Sequence, residues 1–493
     1  MTEPDNLSIA IRRGAIVNYA GFFAGKLIVF VNTIVLARLL APEHFGLVAI
    51  GLLVLSISES LTEAGPGAAV VWRPGPLDET APVALSLSLI GAAAAAVVTF
   101  AAAPAVARFF GEPDAAGIVK VFALCMLLSS PTAVFAGILQ RRMAFGRRLV
   151  VDIARALTKG AVSIPLALAG YGVWSLVYGQ IAAVAIGLGM AMWLSGWRPR
   201  LSLERRALAQ ILPYAGHIAA IGLVGVAIKK LDILIVGSRF DATQLGFYTL
   251  AFSLVELVVL GICWSAGQAI FPALSQSTQA DRLPLVYERG LTALLAVTFP
   301  VAVGMAVLAE PFLLSVYGAK WSPAIPLLQV LALYALISST AFNLGDVYKA
   351  TGRPSLLSRI NLANLALAVP LLLFGARWGM IGIAWAQVAV ATAIAAINWT
   401  MAWRLTGIGP NVLFTAMRTP ALASLGAALV CLLTQGSLLE ETSAPVRLLV
   451  LGPLGAVCYV GILLALMPNL ITRLSCATAQ ASGITAPPRI GPE

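Results

Sequence analysis

The chain has 493 residues, of which 60% are hydrophobic and only 11% charged, with a mean hydropathy of +0.93; this balance excludes a soluble globular domain. Uncharged runs over 80–107 and 160–197 also exclude a β-barrel, whose segments of roughly 10 residues alternate in polarity. The net charge of +11 calls for no nucleic-acid partner, because the basic residues follow a topological bias described below.

At about 20 apolar residues per crossing, the chain reads as an all-α integral membrane protein. The first apolar run follows Arg12 and Arg13 and carries Lys26 inside it, so it is expected to be a permanent span and not a cleaved leader. Spans are predicted near 14–36, 45–64, 82–107, 117–139, 152–169 and 172–195. A second set follows near 210–235, 245–272, 287–309, 323–347, 356–375 and 379–403, then two more near 412–434 and 447–468. Fourteen spans put both termini on one side. Most of the 32 basic residues fall on that side, among them Arg141, Arg142, Arg147, Arg148, Arg198, Arg200, Arg205 and Arg206. The positive-inside rule makes it the cytoplasmic face, and residues 473–493 are expected to form a disordered cytoplasmic tail.

No phosphate-binding loop, nucleophile elbow or dinucleotide fingerprint occurs in the chain. His44 and His217 form no metal-binding pair, and Cys125, Cys263, Cys431, Cys458 and Cys476 read as buried thiols without a CxxC spacing. No cofactor, metal or catalytic residue is expected.

The break between spans 1 and 2, ARLLAPEHFGLV (37–48), is written again as GSRFDATQLGFY (237–248). At this offset of 200, Ile34-Val35-Leu36 matches Leu234-Ile235-Val236, and Gly46 matches Gly246. Tyr19-Ala20-Gly21 recurs as Tyr214-Ala215-Gly216, and YGVWSLVYGQ (171–180) recurs at an offset of 207 as WGMIGIAWAQ (378–387). Three ordered matches imply duplication of a six-span unit. Because six is even, the two copies share one orientation and are related by a pseudo-two-fold along the membrane normal, as in transporters built from parallel repeats. The expected organisation is a bundle over 1–205, a second over 206–405, and spans 13 and 14 over 406–472.

On LARLLAPEHFGLVA after span 1, LDILIVGSRFDATQLGFYTLAFSLVEL (231–257), FPALSQ (271–276) and GDVYKATGRP (345–354), the chain resembles the Wzx-like polysaccharide transporter branch of the multidrug/oligosaccharidyl-lipid/polysaccharide exporter superfamily. The resemblance covers essentially the whole chain. It implies a flippase that moves an undecaprenyl-diphosphate-linked oligosaccharide repeat unit across the bacterial inner membrane for exopolysaccharide, capsule or O-antigen synthesis. It also implies alternating access without a chemical step, contact with membrane lipids, and a polysaccharide polymerase among the assembly partners. The alternative is a cation-coupled multidrug or small-molecule exporter of the same superfamily; a membrane glycosyltransferase or polymerase fits less well, since no long extracytoplasmic loop is predicted, and a non-transporting scaffold is separated from these only by transport data.

Ionisable groups inside spans cost roughly 2.5–3.5 kcal/mol each at a helix centre, so each calls for a reason. Tyr19, Lys26 and Thr33 share a stripe of span 1; Asp152, Arg155 and Lys159 share a face of span 5; Lys229, Lys230 and Asp232 form a cluster in span 7; Arg359 opens span 11. A diphosphate needs cationic partners in a wet cavity, which makes Lys26, Tyr19, Arg155, Lys159, Lys229, Lys230, Asp232 and Arg359 the candidate substrate-binding residues. The lysines beside Asp232 also read as a self-compensating group, and Asp152 as a partner for Arg155. Glu59 and Glu256, deep in spans 2 and 8, are candidates for ion coupling. Trp174, Tyr178, Trp193 and Trp197 read as an interfacial belt or as packing.

Overall fold

The computed structural model describes residues 24–62, 64–73, 75–277, 283–439 and 442–466. Every regular element among them is helical. The spans are α1 (24–39), α2 (Pro42–Trp72), α3 (Leu77–Phe110), α4 (Ala115–Arg141), α5 (Phe145–Leu168), α6 (Val173–Ser195) and α7 (Arg205–Arg239). Helix α8 runs Ala242–Val255 and continues through a π turn, Glu256–Leu260, into Gly261–Ser277. Then come α9 (Leu283–Val307), α10 (Ile325–Ala341), α11 (Ser355–Gly375), α12 (Gly379–Thr406), α13 (Pro410–Leu438) and α14 (Ala444–Leu466). The fourteen predicted spans match these helices. Length and apolarity alone single out ten stretches and merge α11 with α12. Helix α5 is not among them because Asp152, Arg155 and Lys159 interrupt its apolar run.

The chain forms two compact units. The first comprises Met1–Leu257, Val316–Leu331 and Ser358–Val390; the second comprises Val258–Ser315, Ala332–Leu357 and Ala391–Glu493. In the second, α9 packs against α13, and α13 against α14, with Tyr459 donating from α14 to the Ala296 carbonyl at 2.6 Å.

Within the first unit, α2 packs along the first part of α8, and the contact is reciprocal. A Cβ added at Gly46 would collide with the backbone carbonyl of Ala242, and one added at Gly246 would collide with the carbonyl of Pro42. These four residues are two pairs at the offset of 200. A residue meeting its partner's equivalent in both directions is the signature of a two-fold interface, so the repeated break lies on the pseudo-two-fold axis itself. Glycine is required there because backbone approaches backbone, and a carbonyl cannot yield as a side chain can.

The second sequence match also has a conformational cause. Gly172 and Gly379, the shared glycines that open α6 and α12, have φ of 53° and 76°, a region that strains any other residue. The structure adds a further pair at the offset of 207: Gly111 and Gly318, at φ 69° and 97°, turn the chain after α3 and before α10.

The basic loop between α4 and α5 does more than bias topology. Arg141 donates to the Val70 carbonyl at 3.1 Å and the Gly75 carbonyl at 2.5 Å, Arg142 donates to the Ser195 carbonyl, and Arg147 to the Leu194 carbonyl at 3.1 Å. These arginines satisfy carbonyls at the ends of α2 and α6 that helix geometry leaves unpaired. Trp197, buried and donating from Nε1 to Asp78 at 3.1 Å, closes the same end; of the two roles predicted for it, packing is the one observed.

Candidate functional site

Two features of the first unit bear on function: a clasp where the repeated breaks meet, and a polar cavity among α2, α4, α5, α6 and α7.

The clasp is built from the loops after Gly111 and Gly318, each of which holds the break of the other copy. Glu112 accepts the backbone N–H of Ala242 at 2.6 Å, the first donor of α8 and one that the helix leaves unsatisfied. On the other side Lys320 donates to the Arg38 and Leu40 carbonyls, both at 2.8 Å, and Trp321 donates from Nε1 to the Ala37 carbonyl at 2.9 Å. Those are the unsatisfied acceptors at the end of α1. Arg38 in return donates to the Val316 carbonyl at 2.7 Å. Trp321 is fully buried, with Phe45 and Phe247 edge-on at 5.4 and 5.9 Å. An acid therefore holds donors in one half of the clasp, and a base holds acceptors in the other.

The cavity measures about 520 Å³. Arg148, Asp152 and Arg155 line it from one face of α5, and Glu59 lines it from α2. Arg148 is braced by donation to Gln140 Oε1 at 3.2 Å. Arg155 owes its path to Gly187 of α6, where a Cβ would fall 2.7 Å from Arg155 Cδ. Trp72 and Tyr214 stack with ring centroids 4.5 Å apart at 10° and both reach the cavity wall. Ser129 also lines it, and its buried hydroxyl has no hydrogen-bond partner among the described residues. Two guanidinium groups, two carboxylates, free hydroxyl capacity and an aromatic pair suit a polyhydroxylated, polar guest.

The predicted site residues are scattered. The structure brings Glu59, Asp152 and Arg155 into this one cavity, with no ion pair joining Asp152 to Arg155 among the described residues. Lys159, one turn further along α5, is half-buried and lies outside the lining. Lys26 is exposed on α1, Lys229 exposed and Lys230 half-buried on α7, Arg359 exposed at the start of α11, and Glu256 exposed at the π turn of α8. Tyr19 lies outside the described residues. The self-compensating reading of Asp232 is corrected: no ion pair to Lys229 or Lys230 forms among the described residues. Instead its carboxylate accepts from Tyr248 Oη at 3.0 Å and from the Ile233 N–H at 2.8 Å. Gln387 reaches the same Tyr248 hydroxyl at 3.5 Å. The sequence pointed at the lysines because they are adjacent, but Asp232 is buried while Lys229 is exposed and Lys230 half-buried, so its oxygens meet donors of the core.

Sequence reasoning missed Trp72, Ser129, Gln140, Arg148 and Tyr214 as cavity residues and Trp321 and Glu112 as clasp residues. Only the glycine pair at 111 and 318 carried a readable signal for the clasp. The cavity aromatics had none, since their stacking depends on the approach of α2 to α7.

A family model described as polysaccharide biosynthesis protein matches residues 35–326. Among curated proteins, the succinoglycan biosynthesis transport protein ExoT of Rhizobium meliloti is 24% identical over 90% of this chain and 91% of its own length. The lipopolysaccharide biosynthesis protein WzxC of Escherichia coli K12 is 21% identical over 72% and 73%, and the teichuronic acid biosynthesis protein TuaB of Bacillus subtilis 22% over 85% and 87%. Among solved structures, the lipid II flippase MurJ in an inward closed conformation superposes with a TM-score of 0.72 at 16% identity, covering 92% of this chain and all of that one. An inward-facing multidrug resistance MATE family transporter gives 0.63 at 15%, over 80% and 98%. These likenesses establish the fold.

Proposed function

Because this chain belongs to the polysaccharide biosynthesis protein family, we propose that it is a flippase for an undecaprenyl-diphosphate-linked oligosaccharide in the bacterial inner membrane. The observation that carries the reading is similarity, over 72% to 90% of this chain, to proteins named for the biosynthesis or transport of three different polysaccharides. A repeat unit built on a lipid carrier at the cytoplasmic face would have to cross the bilayer before assembly into any such polysaccharide. Both termini lie in the cytoplasm, the chain performs no covalent step, and a polysaccharide polymerase consumes the flipped product.

In this reading the bundles 1–205 and 206–405 alternate access, and the clasp is the extracytoplasmic closure. Cations meet the diphosphate: Arg155 with Arg148 in the cavity wall, and Lys26 on α1, with Lys159, Lys229, Lys230 and Arg359 as further stations. Glu59 and Glu256 serve ion coupling. The balanced charge of the cavity and the stacked Trp72–Tyr214 pair support sugar binding there over capture of a cationic drug, which favours carboxylates without guanidinium groups beside them.

The test is a deletion strain restored with wild type, Lys26→Ala or Arg155→Ala at equal membrane levels, with the leaflet holding the lipid-linked repeat units as readout. Wild type is expected to place them on the periplasmic face and the variants to strand them inside. An unchanged distribution in the deletion strain would remove the flippase reading.

A further inference from the structure

A second cavity of about 510 Å³ lies at the opposite end of the first unit from the basic loop, where α7 ends and α11 turns into α12. It is lined by Arg239, the last residue of α7, by Phe240, by Pro370, Leu373 and Phe374 near the end of α11, and by Arg377 of the turn that follows. No carboxylate lines it. In this it differs from the first cavity, where two acids offset two arginines.

The two guanidinium groups also differ from four other arginines at this unit's helix ends. Arg38, Arg141, Arg142 and Arg147 spend their donors on carbonyls. Arg239 and Arg377 have no hydrogen-bond or ion-pair partner among the described residues, so up to ten N–H donors face or flank one cavity. Arg377 lies over the Phe374 ring at 5.7 Å, and Phe374 is set edge-on to Trp378 at 4.6 Å. The aromatic wall orients the guanidinium without consuming its donors. Arg239 ends α7 and Arg377 lies in the last turn after α11, so each charge is favoured by its own helix end, and the packing of the two ends brings both to one cavity.

The apolar part of the wall is open: Leu373 and Phe374 are 40% and 53% exposed, and Trp378 62%. In the orientation proposed above, with Trp378 at the membrane interface where tryptophan is enriched, this wall faces acyl chains. We infer that this cavity is a binding site for a lipid phosphate, the phosphate held between Arg239 and Arg377 and the chain lying along Leu373 and Phe374. A phosphate monoester carries about −1.5 to −2 at neutral pH, which matches two unspent guanidinium forks and suits bidentate recognition. The assignment of this phosphate to a lipid of the extracytoplasmic leaflet rests on the orientation proposed above.

The test uses the purified full-length protein in a neutral detergent and measures binding, not transport, so failure of the flippase reading leaves its outcome intact. The probes are phosphatidic acid, phosphatidylcholine and inorganic phosphate, followed by native mass spectrometry. Phosphatidic acid is expected to bind at least about tenfold tighter than phosphatidylcholine, and Arg239→Gln and Arg377→Gln each to weaken it by about tenfold. Arg377→Lys, which keeps the charge and loses the fork, should fall between. Equal phosphatidic acid binding by wild type and the double Arg239→Gln/Arg377→Gln variant overturns the site. Inorganic phosphate binding as tightly as phosphatidic acid overturns the lipid assignment. If Arg239→Gln disturbs the end of α7, seen as a lowered melting temperature, Arg377→Gln on its exposed turn carries the test alone.

Discussion

The two breaks, 37–48 and 237–248, share a backbone and differ in the chemistry that holds it. In the second copy, Asp241 caps α8 by accepting the Gln244 N–H at 2.7 Å, and Glu112 takes the N–H of Ala242. In the first copy the corresponding residues are Ala41 and Pro42. Proline at the first helical position has no N–H to satisfy, so no acid is needed, and the holding contacts shift to the carbonyls that end α1, which Lys320 and Trp321 bind. A second pair behaves likewise. Asn32 and Asp232 occupy one slot at the offset of 200; Asn32 donates across to the Ala156 carbonyl of α5 at 2.8 Å, whereas Asp232 accepts from Tyr248. Duplicated backbones thus preserve positions needing a partner, while each copy finds its own donor or acceptor.

The comparison can be broken most forcefully at Trp321. Trp321→Ala should lower stability by about 3–5 kcal/mol as a buried large-to-small change, against about 1.5–3 for Glu112→Ala, which removes one charge-assisted hydrogen bond. Thermal unfolding in detergent reads both, and equal losses would mean the two halves of the clasp are not chemically distinct.

Gly46→Ala and Gly246→Ala come next, each expected to cost about 1–3 kcal/mol by overpacking. The two should be alike within error, and the double variant less than additive, because one crossing relaxes for both. Gly225→Ala, with open space around the site inside α7, is the control, expected to stabilise by about 0.5–1 kcal/mol. A large difference between the two glycines would contradict the two-fold contact.

Tyr248→Phe leaves a buried carboxylate oxygen of Asp232 without its donor and should cost about 1–3 kcal/mol. Asn32→Ala, its counterpart, should cost about 1 kcal/mol, since it deletes a neutral hydrogen bond. The smallest effect has the opposite sign. Ala41→Asp transplants the second copy's cap into the first and should add about 0.5–1 kcal/mol, read as a small rise in melting temperature; no change would mean that Pro42 already fixes that helix start.

Sequence alone determined the fold class, the fourteen spans and the duplication. Apolar runs of membrane length admit only helices, and glycines at fixed offsets record backbone conformations that no other residue adopts freely. It also marked Glu59, Asp152 and Arg155, because any charge within a span demands a reason. Tertiary structure decided which of those charges share a cavity. It gave Asp232 a hydrogen bond from Tyr248, placed Trp72 on Tyr214, and set Trp321 on the end of α1 across 284 residues of chain. Such choices depend on which helix faces approach one another, and a spacing rule along one helix carries no information about the distance between two.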